Sequence, residues 1–240
     1  MSSAALTPAP RVAIQFQPDW PYGDRLVIES IARDGRYRSQ FETRISNGGV
    51  TAHPGGARWE WEHRLFNGRY DAAPPEERPV YGAHYDGVAA HGPAPRFGSA
   101  YLVLREEAAA RATYCFPDSF FNPDLYGGPE ILGKALTAKL AASRVALSDP
   151  LDDYVEAQVH GELVVQRDVE AVWLDPSHRG GRVERAAEQL GCAVRWHPGF
   201  RARTDSLDPD YRGVEHVDRA RSLGTVLTPA ALGEVAQSGV

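Results

Sequence analysis

The sequence predicts an α+β fold with a largely antiparallel, curved sheet. Three observations carry that class. Strand-like and helix-like segments follow one another without the regular alternation of βαβ units. No glycine fingerprint of the dinucleotide or P-loop type opens a helix. The chain has 240 residues, 42% of them hydrophobic, which suffices for a core without cross-links, while 18 prolines and 23 glycines demand many turns.

Taken in order, residues 1–10 are small and Ser/Ala/Pro-rich and read as a disordered tail, leaving residues 11–240 as a single domain. "RVAIQF" (11–16) reads as a strand stopped by Pro18. A helix is expected from Asp24 as N-cap through "RLVIESIARD", with Gly35 as its stop. "YRSQFET" (37–43) reads as extended chain running into a polar loop at Ser46–Gly49. "ARWEWEHRLFNGRYD" (57–71) reads as a helix, with Trp61, Leu65 and Phe66 at helical spacing and Gly68 near its end. Residues 72–96 read as a long irregular connection.

A strand pair is expected at 98–105 and 110–116, joined by a short helical turn. A helix follows at 128–143, then strands at 153–161 and 168–175 with a hairpin-like link. The remainder reads as helix "RVERAAEQLG", strand "AVRWH" and helices near 214–223 and 228–237.

Several functions are disfavoured. A net charge of −6 argues against a nucleic acid or an anionic membrane as partner. The two cysteines, Cys115 and Cys192, form no CxxC unit or disulfide framework, and Cys115 alternates with aromatics as a core residue does. The eight histidines show no zinc spacing, so no metal is expected. There is no GxSxG turn, no membrane-length apolar run and no cleavable secretory signal.

Three stretches carry polar residues in patterns fit for chemistry. In "YRSQFETRISNGG", Arg38, Ser39, Gln40 and Phe41 precede Asn47, Gly48 and Gly49, an anion-and-amide grip with glycines that admit a close backbone. In "DDYVEAQVHGE", Tyr154, Glu156, Gln158 and His160 share one face of a strand whose other face, Val155, Ala157 and Val159, is apolar. In "PRFGS", Phe97, Gly98 and Ser99 stand where a loop enters an apolar strand, and glycine there would let a ligand approach.

The ordered series Arg38, Ser99, Glu156 resembles mono-ADP-ribosyltransferase toxins of the Arg–Ser–Glu type. With "SNGG", "TAHPGG", "RFGS", "EAQVHG" and "RWHPGF", the chain is most similar to a bacterial family once labelled only as a domain of unknown function. That family includes effectors that ADP-ribosylate a threonine of ubiquitin. The resemblance implies an ADP-ribosyltransferase-like split β-sandwich with flanking helices, clamping NAD as co-substrate. It implies that Arg38 holds the phosphates and that Ser39 or Ser99 orients the ribose or the carboxylate. Phe97 or Phe41 would stack on nicotinamide, and Glu156 would face the charge that develops as nicotinamide leaves.

Glu156-Ala157-Gln158 departs from the usual pair ending in glutamate. Either Glu156 is catalytic with Gln158 in support, or the acid is Glu162. His160 would deprotonate an acceptor hydroxyl. The resemblance further implies synthesis in a bacterial cytoplasm, export as an effector, and a host protein, ubiquitin, as substrate. A non-catalytic module holding a nucleotide or peptide is the alternative.

Overall fold

The sheet is made of β1 (Val12–Phe16), β2 (Val80–His84), β3 (Ala100–Leu104), β4 (Ala112–Phe116), β5 (Leu125–Gly127), β6 (Glu156–Val159), β7 (Val169–Leu174) and β8 (Ala193–Trp196). These strands come from a computed structural model, which describes residues 10–45, 52–144 and 149–237. The expected tail at residues 1–9 and the candidate residues Asn47, Gly48 and Gly49 lie outside the described residues. The strand order is β8-β7-β3-β1-β2-β6-β4-β5, and every neighbouring pair is antiparallel except β7 with β8.

One face of this sheet carries the main core. Ile14, Leu102, Tyr114, Ala157 and Val172 point to it, as strand alternation requires. It is covered by α1 (Val27–Asp34) through Ile28 and Ile31, by α4 (Leu132–Arg144) through Leu132 and Ala135, and by α5 (Arg182–Glu188) through Val183 and Ala186. Arg182 of α5 donates two hydrogen bonds to Glu29 of α1, at 2.9 and 2.8 Å. The short α2 (Gln40–Thr43), α3 (Ala57–Leu65), α6 (Val214–Ser222) and α7 (Pro229–Gln237) complete the α+β class.

The two halves of the sheet meet along a short seam. β1 and β2 pair through Val12 with His84 and Ala13 with Ala83, and the Tyr85 N–H continues the seam by donating to the Arg11 carbonyl at 2.9 Å. By contrast β1 pairs with β3, and β2 with β6, over four positions each. At the seam Gly82 lets the backbones close up. A Cβ there would stand 2.6 Å from the carbonyl oxygen of Ala13. Past Ala13 the facing edges of β1 and β2 no longer pair, and a cleft opens between them.

Several expectations are corrected. "YRSQFET" is not a continuous strand: strand pairing covers Arg36–Tyr37, and α2 follows. The cause is a capping box. Ser39 Oγ accepts the Glu42 N–H at 3.2 Å, and Glu42 Oε1 accepts the Ser39 N–H at 3.0 Å. The first helix starts at Val27 rather than after Asp24, because Arg25–Leu26 pairs with Pro21–Tyr22. The stretch expected as irregular, 72–96, holds central strand β2. The strands β3 and β4 are not partners but belong to opposite halves, as do β6 and β7. The helix at 57 ends at Leu65, with Asn67 and Gly68 both in the left-handed region.

Gly98 sits where β3 departs. Its φ is 155°, and a Cβ would stand 2.0 Å from the carbonyl oxygen of Phe16. What approaches this glycine is the end of β1, not a ligand, which corrects the sequence reading. Gly98→Ala is expected to cost about 3 kcal/mol or more, since the obstructing atom is backbone. A denaturant melt that leaves the midpoint within error of the unsubstituted protein would show that the chain can relax there.

Candidate active site

The cleft at the seam has a volume of about 200 Å³. Gln15 and Phe16 at the end of β1 and Val80, Tyr81 and Gly82 at the start of β2 line it from the sheet. From α1 come Val27, Ser30, Ile31 and Asp34, and Arg36 to Arg38 follow. Glu156, at the first position of β6, lies on the opposite wall with Tyr154, Asp118 and Ser119. The cross-strand register sets this wall. Cys115 of β4 lies opposite Glu156, so the turn after β4 delivers Asp118 and Ser119 beside the carboxyl. A short 3₁₀ turn, Ser119–Phe121, begins at Asp118, whose side chain accepts the Phe120 N–H at 2.7 Å.

Glu156 is 5% exposed and has no direct cationic partner among the described residues; its hydrogen bonds come from neutral groups. Gln158 Nε2 donates to Oε1 at 2.7 Å, and Ser119 Oγ donates to Oε2 at 3.1 Å. Burial and the nearby Asp118 charge push its carboxyl up to about 8, against the lowering effect of those hydrogen bonds and of Arg58. Asp118 also accepts the Tyr154 hydroxyl, and burial together with that acid raises the phenol. Cys115 is fully buried, and burial and the Glu156 charge push its thiol up, which makes it a packing residue rather than a nucleophile.

Across the cleft, Arg38 is held in place by Asp34 at 2.7 Å and by the Tyr22 hydroxyl at 3.1 Å. Its Nε is buried without a hydrogen-bond partner, and so is Gln40 Oε1. Arg58 of α3 adds a second guanidinium, 4.7 Å from the Tyr81 ring centroid, and its Nε too is buried and unpartnered. Tyr81 is anchored from behind by Glu62 at 3.0 Å, and Glu62 is sealed in an ion pair with Arg78 at 2.6 Å. Phe97 closes one end, edge-on to Tyr154 with ring centroids 5.5 Å apart.

The structure therefore brings together Arg38, Gln40, Phe97 and Glu156, with Gln158 directly behind the carboxyl. It sets the other expected residues apart. Ser39 is buried as the α2 cap and donates to the Pro75 carbonyl at 2.7 Å. Phe41 is buried under the Arg78 guanidinium at 3.9 Å. Ser99 is buried, and its carbonyl accepts from His197 at 2.8 Å. The serine that touches the carboxyl is instead Ser119.

His160 lies one layer behind the cleft, between Thr113 and Tyr70. Burial, aided by the Arg69 charge, lowers it to about 4, so it is neutral and walled off from any acceptor in the cleft. Glu162 lines a separate surface hollow with Arg69 and Glu77. Sequence reasoning missed Arg58, Asp118 and Ser119. A turn signal was present in "FPDS", where Asp and Ser follow Pro at a strand end, but only the pairing of β4 with β6 gives it meaning.

The chain belongs to the family described as a protein of unknown function, DUF3626, whose sequence model matches residues 11–146 and 130–237. No curated protein matches it. Among solved structures, Thermus sp. 2.9 DarT in complex with NAD+ is similar at 13% identity, over 79% of this chain and 96% of that one, with a TM-score of 0.47. The same protein in complex with ADP-ribosylated single-stranded DNA is similar at 12% identity, over 79% and 94%, with a TM-score of 0.44. The expectation that excluded a nucleic-acid partner is corrected, because one of these similar structures holds single-stranded DNA. Net charge spread over a whole chain does not fix the charge of one groove, and this cleft is lined by Arg36, Arg38 and Arg58 as well as by Asp34, Asp118 and Glu156. No helix among the described residues is long and apolar enough to cross a membrane.

The raised carboxyl has a consequence for stability. An acid that titrates near 4.5 in the unfolded chain and near 8 in the folded one makes the native state bind the extra proton between those values. Its contribution therefore worsens as pH rises through that window. Glu156→Gln removes the titration. Its melting temperature should gain on that of the unsubstituted protein from pH 5 to pH 8 and level off above. The gain should reach several degrees, at about 2–4 °C per kcal/mol for a chain of this size. A difference in melting temperature that stays flat with pH would show that the carboxyl ionises normally.

Proposed function

We propose that the cleft binds NAD and that the protein transfers ADP-ribose from it to an acceptor hydroxyl, releasing nicotinamide. The observation that carries this reading is that Arg38 and Glu156, far apart in the chain, line one crevice. The donor set fits a dinucleotide. Arg38 Nε, Arg58 Nε and Gln40 Oε1 are buried without partners. Each such group costs roughly 1–3 kcal/mol, which a phosphate-bearing, amide-bearing ligand recovers.

NAD supplies a ribose carbon whose bond to a positively charged nicotinamide breaks, the electron pair leaving with the ring, so that the carbon can bond to the acceptor oxygen. The residues of this chain do the rest. Arg38 and Arg58 grip the phosphates, and Asp34 and Tyr22 hold the Arg38 fork in place. Phe97 offers a ring against nicotinamide. Glu156 faces the developing positive charge, held in orientation by Gln158 and Ser119. A cation beside this carboxyl favours its ionised form, which then stabilises the same cation. The acceptor proton passes to that carboxylate or to water. On the motif resemblance, the acceptor is a threonine of ubiquitin reached by an exported effector.

The test is incubation with NAD, run in parallel with ubiquitin and with a single-stranded oligonucleotide, read by intact mass and by nicotinamide release. One added ADP-ribose on either acceptor is the expected result, and the acceptor that gains it is thereby identified. Glu156→Gln should lower turnover by about 10²-fold or more while NAD still binds. Binding of NAD without turnover on any acceptor or water would reduce the protein to a nucleotide-binding module, and no binding at all would overturn the reading.

A further inference from the structure

Behind Glu156 a line of four hydrogen bonds runs across neighbouring strands on one face of the sheet. Tyr70 Oη stands 2.6 Å from His160 Nδ1, and His160 Nε2 stands 2.8 Å from Thr113 Oγ1. Thr113 Oγ1 donates to Gln158 Oε1 at 2.7 Å, and Gln158 Nε2 donates to Glu156 Oε1 at 2.7 Å. We propose that Thr113, His160 and Tyr70 are positioning residues that lock the Gln158 amide in one orientation and through it set the ionisation of Glu156. The inference deepens the function proposed above, since it assigns a role to residues that touch no substrate.

The directions of the hydrogens are fixed by counting them. A threonine hydroxyl has one proton, and Thr113 spends it on the Gln158 carbonyl oxygen. It must then accept from His160 Nε2–H, which leaves Nδ1 with a lone pair to receive the Tyr70 O–H. This is a neutral imidazole in a single tautomer, in keeping with the lowering of His160 by burial and by Arg69. Every donor therefore points toward the carboxyl, and bonds aligned in that way polarise one another.

Were the Gln158 amide to turn over, its oxygen would face the Glu156 oxygen and its NH2 would face Thr113. The single proton of Thr113 selects against that state. The surroundings shield the line at its two ends, while Thr113 and His160 between them are half-buried. Gln158 is fully buried, Tyr70 is 7% exposed, and the Phe66 ring packs edge-on to His160 with centroids 5.5 Å apart. Among the described residues, other titratable side chains also bear on it: Arg69 beside His160, Glu62 near Tyr70, Tyr126 and Cys115 at Thr113 and Gln158, and Asp118, Arg58 and Tyr81 around Glu156.

The test reads Glu156 directly, so it does not depend on turnover. The carboxyl carbon of Glu156 is followed by NMR against pH in protein labelled with 13C-glutamate. Thr113→Val keeps the shape and removes the proton that orders Gln158. Its Glu156 midpoint should move up by about 0.5–1 unit, and Thr113→Ser should restore it. Tyr70→Phe, which touches only the far end, should give a smaller shift of the same sign and serves if the valine variant does not fold. On the enzyme, Thr113→Val should lower kcat by about tenfold with the KM for NAD changed less than twofold. A Glu156 midpoint indifferent to all three substitutions would overturn the relay. A midpoint that shifts as expected in a protein that never turns over NAD would uphold the relay and overturn the enzymatic reading.

Discussion

A short seam joins the halves of the sheet, Val12 with His84, Ala13 with Ala83 and the Tyr85 N–H on the Arg11 carbonyl, and the cleft depends on the pairing stopping at Ala13. A fuller ladder between β1 and β2 would draw Gln15 and Phe16 against Val80 and Tyr81 and leave no space between them. A weaker one would let the halves drift. The seam is kept narrow by close approach rather than by side-chain bulk. Gly82 admits the Ala13 carbonyl. Once the seam is set, each wall follows from its own ladder. The β2, β6 and β4 ladders carry Glu156 and Ser119 to one side. The packing of α1 against the core carries Asp34 and Arg38 to the other.

The electrostatics of the two walls are opposed in kind. On the α1 side, charges are paired: Arg38 with Asp34, and Arg36 with Glu42. On the β6 side, the buried acid has only neutral partners, and a second acid, Asp118, stands close enough to disfavour its ionisation. A buried carboxyl tied to an arginine would be permanently charged and already satisfied. One tied to an amide and a hydroxyl retains the capacity to respond to whatever charge enters. The buried pair of Glu62 and Arg78 shows that this chain does build ion pairs when rigidity is wanted, here to brace Tyr81 from behind.

Much of this fold was legible in the sequence where the pattern is local. β1, β3, β6, β7 and the helices α1, α4 and α5 follow from apolar periodicity and from Gly35 as a stop. The alternation in "YVEAQV" correctly divided Glu156 and Gln158 from Val155, Ala157 and Val159. What escaped was set by distant pairing. β2 is short, with a glycine at its centre and prolines nearby, and it is a strand because β1 and β6 flank it. The capping box at Ser39 was written in plain residues, yet the alternation in "YRSQF" pointed to an extended chain. Ser119 shows the same limit: only the register that sets Cys115 opposite Glu156 brings it to the carboxyl.

An open seam inside a sheet also leaves main-chain amides and carbonyls of two facing strands turned toward the same space. Such groups recognise planar amides and hydroxyls as an exposed sheet edge recognises another strand, with no side chain involved. Truncating side chains one by one leaves that inner edge untouched. A substitution scan of the crevice will therefore understate what the architecture itself contributes to affinity, and that share is lost only when the spacing between β1 and β2 is changed.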